Sequence, residues 1–268
     1  MIRDITIGQY YPAESVIHRL DPRIKLMATL AYIISLFTFK SMTGYLIAGM
    51  FLLAIIKTSK VPFGYILKGL KPIVILMMIT VCFNLFLTPG EILIQVWIFK
   101  ITKEGIKVAV FMAIRLIFLI IGASLMTFTT TPNHLTDGLE SLMNPLKKLH
   151  FPVHEISMMM SIALRFIPIL LEETDKIMKA QMARGADFES GGLFKKAKNL
   201  VPLLVPLFIS AFRRANDLAM AMEARCYRGG EGRTKMKPLH YRKRDWLSLG
   251  TMALYFGVLI CVTRYLPF

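Results

Sequence analysis

Five apolar runs, about Ile24 to Phe39, Met42 to Ile56, Pro72 to Leu87, Val108 to Phe128 and Leu247 to Val262, constrain this chain more than any other feature. A bilayer span needs roughly 20 apolar residues, since the hydrocarbon core is about 30 Å thick. The first two runs are short, so Arg23, Lys25, Lys40 and Lys57 are required as snorkelling anchors at their ends. The polar stretch Lys40 to Gly44 divides them into two helices rather than one. With 55% hydrophobic residues and a mean hydropathy of +0.55, the 268-residue chain lies outside the range of soluble domains. It is expected to be an all-α integral membrane protein with about five transmembrane helices and a cytoplasmic domain of three further helices.

Charge placement sets the expected topology. The formal net charge of +16 invites a nucleic-acid reading, but the excess cations sit between apolar runs and near their ends, where membrane proteins collect cytoplasmic Lys and Arg. No nucleic-acid partner is expected. Arg19, Arg23 and Lys25 precede the first run and Lys57, Lys60, Lys68 and Lys71 follow the second, which puts the N-terminus in the cytoplasm. Lys100, Lys103 and Lys107 fall in an outside loop and blunt the signal. Residues 1–130 are read as a membrane domain of about four transmembrane helices, 131–244 as a cytoplasmic domain, and 245–268 as a last transmembrane helix. The N-terminus has no compact apolar run with a small-residue cleavage site, so the first crossing is expected to remain in the mature chain.

The cytoplasmic interval carries the candidate site. Thr131-Pro132 reads as an N-cap with proline at the first helical position, opening a helix to about Leu149. Two longer helices follow, about Val153 to Ala183 and Leu193 to Tyr227, each apolar in its first half and charged in its second. Membrane crossing is possible for either, but Arg165, Pro168, Pro202, Pro206 and the charged halves favour helices lying along the membrane surface. Aligned back from their ends, Arg225 falls opposite Arg184 at an offset of 41 residues, and Arg213-Arg214 opposite Glu172-Glu173. Gly191-Gly192 supplies the turn between these arms, and Gly229-Gly230 with Gly232 ends the second.

The arm tips are Ala183-Arg184-Gly185 and Ala224-Arg225-Cys226. Small neighbours let a partner's backbone approach while the guanidinium forks onto a carboxylate or a helix C-terminus. A bland alternative is an arginine that merely closes its own helix. Met158, Met159, Met160, Met178, Met182, Met220 and Met222 give the arms an adaptable surface, or simply pack them.

No catalytic constellation is evident. GxxxxGK[ST], GxSxG and HExxH are absent. His150 and His154 have a metal-like spacing, but Pro152 interrupts the helix they would share, and Cys82, Cys226 and Cys261 have no CxxC spacing. No catalytic or metal site is expected. Arg115, Asn84 and Glu140 motivate the competing class, an intramembrane enzyme, although Arg115 is better read as a bundle-facing hydrogen-bond partner. A self-contained channel would need polar residues repeated through several spans. Asp21-Pro22-Arg23 has a structural explanation as N-cap, first helical residue and interfacial anchor.

The opening Gly8-Gln9-Tyr10 through Leu20-Asp21-Pro22-Arg23-Ile24-Lys25-Leu26, together with Leu164-Arg165-Phe166-Ile167-Pro168, Ala180 to Gly185 and Glu223 to Tyr227, resembles the T component of energy-coupling factor (ECF) transporters. The resemblance implies a non-enzymatic scaffold in the cell membrane, with the cytoplasmic helices acting as coupling helices. It implies that Arg184 and Arg225 insert into two ABC-type ATPase subunits, and that a membrane-embedded S component captures a vitamin. ATP would be used by the partners, with no cofactor on this chain. Cys226 stands where glycine is commoner in the family, which bears on the backbone geometry of that tip. The long opening motif resembles the shared module more than the dedicated cobalt, nickel or biotin versions.

Overall fold

The computed structural model describes residues 10–39, 41–96, 99–188, 192–230, 232, 236 and 238–265. In chain order it forms α1 (Pro22–Thr38), α2 (Met42–Ser59), α3 (Phe63–Leu70), α4 (Val74–Leu87), an antiparallel hairpin of β1 (Ile92–Val96) and β2 (Phe99–Thr102), α5 (Lys103–Thr129), α6 (Pro132–Met143), α7 (Val153–Ala183), α8 (Leu193–Asn199), α9 (Val201–Ala224) and α10 (Lys243–Tyr265). The all-α class holds, with the short hairpin as the addition. By length and composition α2, α5, α7 and α10 can each cross a bilayer, and α4 is a shorter apolar helix. Among the described residues, 10–142 with 238–265 form one compact unit and 143–236 the other.

The first unit is built on α1, α2, α5 and α10. Asp21 caps α1 by accepting a hydrogen bond from the Arg23 amide at 2.9 Å, with Pro22 at the first helical position, as the sequence predicts. The core joins Tyr32 and Leu36 of α1, Tyr45, Ala48 and Leu52 of α2, Ile121, Leu125 and Phe128 of α5, and Tyr255 and Leu259 of α10. Small residues let these helices approach: a Cβ on Gly122 would meet the Tyr32 ring at 3.0 Å. Arg115 donates from Nε to the Tyr45 hydroxyl at 2.8 Å and sits 5.3 Å from the Phe37 ring centre. It is held by bundle aromatics, as expected, and the Asn84 side-chain amide donates to the Thr80 carbonyl of its own helix at 2.8 Å.

Asp21-Pro22-Arg23 does more than start a helix. The Asp21 amide donates to Asp245 Oδ1 at 2.9 Å, and Oδ2 of Asp245 accepts from the Arg242 amide at 2.7 Å, so one carboxylate ties the beginnings of α1 and α10. Arg23 donates to the Leu239 carbonyl and lies over the Tyr241 ring.

Two expected boundaries shift. The helix opened by Thr131, whose Oγ1 accepts from the His134 amide, stops at Met143 instead of Leu149. Asn144–Leu149 tightens into a 3₁₀ turn carrying Pro145, and His150 closes it in the left-handed region at φ 57°. The last arm is α8 and α9 rather than one helix. Pro202 has no N–H to continue the ladder from α8, so the chain restarts at Val201 and runs to Ala224.

Candidate functional site

The two arms run antiparallel. Ser210 and Arg214 of α9 meet Glu173 of α7, Leu218 and Met222 share a cleft with Met158, Ile162 and Arg165, and beyond the tip the Gly230 backbone rests on His154. Residue numbers therefore rise along α9 as they fall along α7. Glu173 anchors the contact: Oε2 accepts from Arg214 Nε at 3.1 Å and Nη2 at 2.9 Å, while Oε1 takes the Ser210 hydroxyl. Both residues are part-exposed.

This ion pair joins equivalent positions. Glu173 to Arg214 spans the same 41 residues as Arg184 to Arg225, and each tip lies eleven residues beyond the pair, about 16 Å at helical rise. Equivalent residues of antiparallel helices meet only where a local two-fold axis passes, so the tips lie on opposite sides of that axis, up to about 33 Å apart along the helices. The offset was legible in the sequence, but the meeting of Glu173, Ser210 and Arg214 was not.

Each tip ends in the same hydrogen-bonded cap. On α7 the Ala186 amide donates to the Gln181 carbonyl at 2.9 Å and the Gly185 amide to the Met182 carbonyl at 2.9 Å, with Gly185 at φ 88°. On α9 the Tyr227 amide donates to Met222 at 3.1 Å and the Cys226 amide to Glu223 at 2.8 Å, with Cys226 at φ 55°. Both are Schellman closures, the 6→1 and 5→2 bond pair around a left-handed residue. The Gly-to-Cys departure leaves the backbone geometry unchanged. Cys226 adopts a conformation that costs a non-glycine residue about 1–2 kcal/mol, which the two cap bonds offset.

Arg184 and Arg225 are the helix-capping residues, and both are exposed. Neither guanidinium has a hydrogen-bond or ion-pair partner among the described residues. Ala183 and Ala224, each the last residue of its helix, and Cys226 are exposed as well, so the predicted tip residues are brought into two equivalent clusters. The surroundings differ. Nothing lies within 4 Å of a Cβ placed on Gly185, whereas Arg225 and Cys226 line a cleft of about 710 Å³ with Arg165, Phe166 and Arg228. Of the arm methionines, Met159, Met182 and Met220 are exposed, and Met158 and Met222 line the cleft.

A bilayer-type bundle and two exposed arginines on matched helix caps define a multi-helix membrane protein, and among the described residues no group of three or more His, Cys, Asp or Glu could hold a metal ion. Residues 13–236 match the profile of a family described as CbiQ, cobalt transport protein. The chain is 58% identical over 265 residues to the energy-coupling factor transporter transmembrane protein EcfT of Clostridium kluyveri, covering 98% of this chain and 97% of that one. It is 53% identical to EcfT of Thermosediminibacter oceani, covering 94% and 97% of the two chains, and 48% identical to EcfT of Bacillus subtilis, covering 95% and 94%. The chain belongs to the CbiQ/EcfT family, the transmembrane components of energy-coupling factor transporters.

Proposed function

We propose that this chain is the coupling scaffold of an ECF-type ABC vitamin importer, with Arg184 and Arg225 docking two ABC-type ATPase subunits and the membrane-embedded S component supplying the substrate site. The single observation behind this reading is the pair of equivalently capped arginine tips, unpartnered among the described residues and placed symmetrically about the Glu173–Arg214 contact. A two-fold motor pair needs two equivalent handles on a subunit that is not itself two-fold. A helix-capping arginine between small residues offers a planar fork for a carboxylate or helix terminus in each motor. Two linked contacts then reinforce each other through effective concentration. ATP is bound and hydrolysed by the partners, and their closure moves the arms and tilts the S component. The chain resides in the cell membrane with its N-terminus in the cytoplasm, the arms lie along that face, and residues 131–244 form the coupling segment between spans in 1–130 and 245–268.

The test is Arg184→Glu with Arg225→Glu, expected to abolish co-purification of both ATPase subunits and vitamin uptake; retention of both overturns the proposal. A second reading, a dedicated cobalt, nickel or biotin module, draws on the cobalt description of the matched family. Uptake measured with several different S components separates them, since a shared module serves more than one.

A further inference from the structure

In the first unit two cavities adjoin and share Leu20, Lys25, Thr129 and Arg244. One is an apolar slot of about 330 Å³ between α1, α2, α5 and α10, lined by Ile17, Tyr32, Ile55, Leu125 and Met252 among others. The other is a polar cleft of about 580 Å³ at the beginnings of α1, α6 and α10. Its cations are Arg19, Lys25, Arg242 and Arg244, and its carboxylates are Asp21 and Asp245.

The carboxylates are already committed to backbone amides, Asp21 to Arg23 and Asp245 to Asp21 and Arg242. Lys25 spends its ammonium protons on the His18 and Thr129 carbonyls and the Thr130 hydroxyl, and Arg19 pairs with Glu14 at 2.8 Å. Arg242 and Arg244 have no side-chain partner among the described residues, and Arg244 is half-buried at the seam of both cavities. Burial holds His18 below its usual pKa, so at pH 7 the imidazole is neutral and the surplus charge is that of the arginines. Three helix N-termini converge on the same cleft and add positive potential.

We propose that these joined cavities bind an anionic phospholipid, with the headgroup phosphate on Arg244 and Arg242 and the upper part of one acyl chain in the slot. Charge complementarity selects the occupant: an apolar tail next to unpaired guanidiniums is the chemistry of an acidic amphiphile. A zwitterionic lipid brings its own cation into a cleft that already holds a surplus. A bound lipid bridges α1, α5 and α10 across the seam and supports the Asp21–Asp245 tie. On the orientation proposed above, the lipid comes from the cytoplasmic leaflet, but the site itself depends neither on that orientation nor on docking at the tips.

The experiment is native mass spectrometry of the full chain, in its complex and alone, released from nanodiscs of phosphatidylcholine doped with phosphatidylglycerol. Wild type is expected to retain one phosphatidylglycerol. Arg244→Gln should lower retention about fivefold, the ratio that roughly 1 kcal/mol per surface cation corresponds to, and Arg244→Lys should restore most of it. Ala54→Trp, at the exposed rim of the slot, should lower retention with the headgroup cations intact. Equal retention of phosphatidylcholine, indifference to both substitutions, or full competition by inorganic phosphate alone would overturn the proposal. Phosphate competition without any effect of Ala54→Trp would reassign the cleft to a free anion.

Discussion

The α7 and α9 tips share a backbone closure and differ in the residue that closes it. At one, glycine reaches the left-handed region freely and its surroundings are open; at the other, cysteine reaches it under strain beside a cleft holding Arg165 and Arg228. The paired cap bonds therefore fix the shape, and the closing residue only sets what that shape costs. The arginine one position earlier takes nearly the same backbone angles at both tips, φ −87° at Arg184 and −93° at Arg225. On the docking role proposed above, the residue after each arginine can vary without altering the cap, whereas the arginine is the group a partner would grip.

The largest effect that can test this equivalence is reversal of one arginine at a time. Linked contacts gain about 10²–10⁴ in avidity over either alone. Arg184→Glu or Arg225→Glu should each weaken capture of the ATPase pair by at least about 100-fold, read by titration of purified subunits onto the chain in nanodiscs. Comparable losses from the two reversals support equivalence; full capture after one of them makes that tip dispensable and breaks the comparison.

A smaller effect isolates the closing residue. Gly185→Ala imposes the left-handed penalty of about 1–2 kcal/mol on the α7 tip, whereas Cys226→Gly relieves it on α9. The readout is local: hydrogen exchange at the Ala186 and Tyr227 amides, which make the 6→1 bonds. Exchange at Ala186 should speed about tenfold and at Tyr227 slow by up to about tenfold. No change at either amide would mean that the loops beyond the tips hold the caps, through the Asn199 side-chain Nδ2 donating to the Asp187 carbonyl at one end and Gly230 on His154 at the other.

Much of this architecture was legible beforehand, for reasons that also mark where reading fails. Apolar run length and the Asp21-Pro22 and Thr131-Pro132 caps located α1, α2, α4, α5, α10 and the start of α6, because a helix in lipid must satisfy its own backbone. The hairpin at Ile92–Thr102 was missed: its strands are only five and four residues long and lie beyond the Thr88-Pro89-Gly90-Glu91 break, and Thr102 shows its role only by capping α5 at the Gly105 amide. The stop at Met143 and the split at Leu200 depended on how one proline is accommodated, which apolar periodicity does not encode. At the tips the arginines were visible as a repeat. The left-handed Cys226 was not, since propensity argues against it and only the cap bonds, set by the length of α9, require it.

The smallest predicted effect bears on symmetry itself. If Glu173 and Arg214 mark a local two-fold axis, their pairing keeps both tips the same distance from one pivot, and weakening it should disturb both equally. Part-exposed ion pairs contribute about 0.2–1 kcal/mol. A double-mutant cycle of Glu173→Ala and Arg214→Ala should therefore return a coupling energy in that range from thermal unfolding of the complex. Ser210 complicates the cycle, because Glu173→Ala also removes its acceptor, and Glu173→Gln, which keeps an acceptor but no charge, separates the two contributions. Coupled vitamin uptake should fall in step with the weakened pivot while ATPase capture stays near wild type, since each tip keeps its own cap. A selective loss of capture at one tip would show that the pair supports that arm alone and that the 41-residue correspondence carries no symmetry.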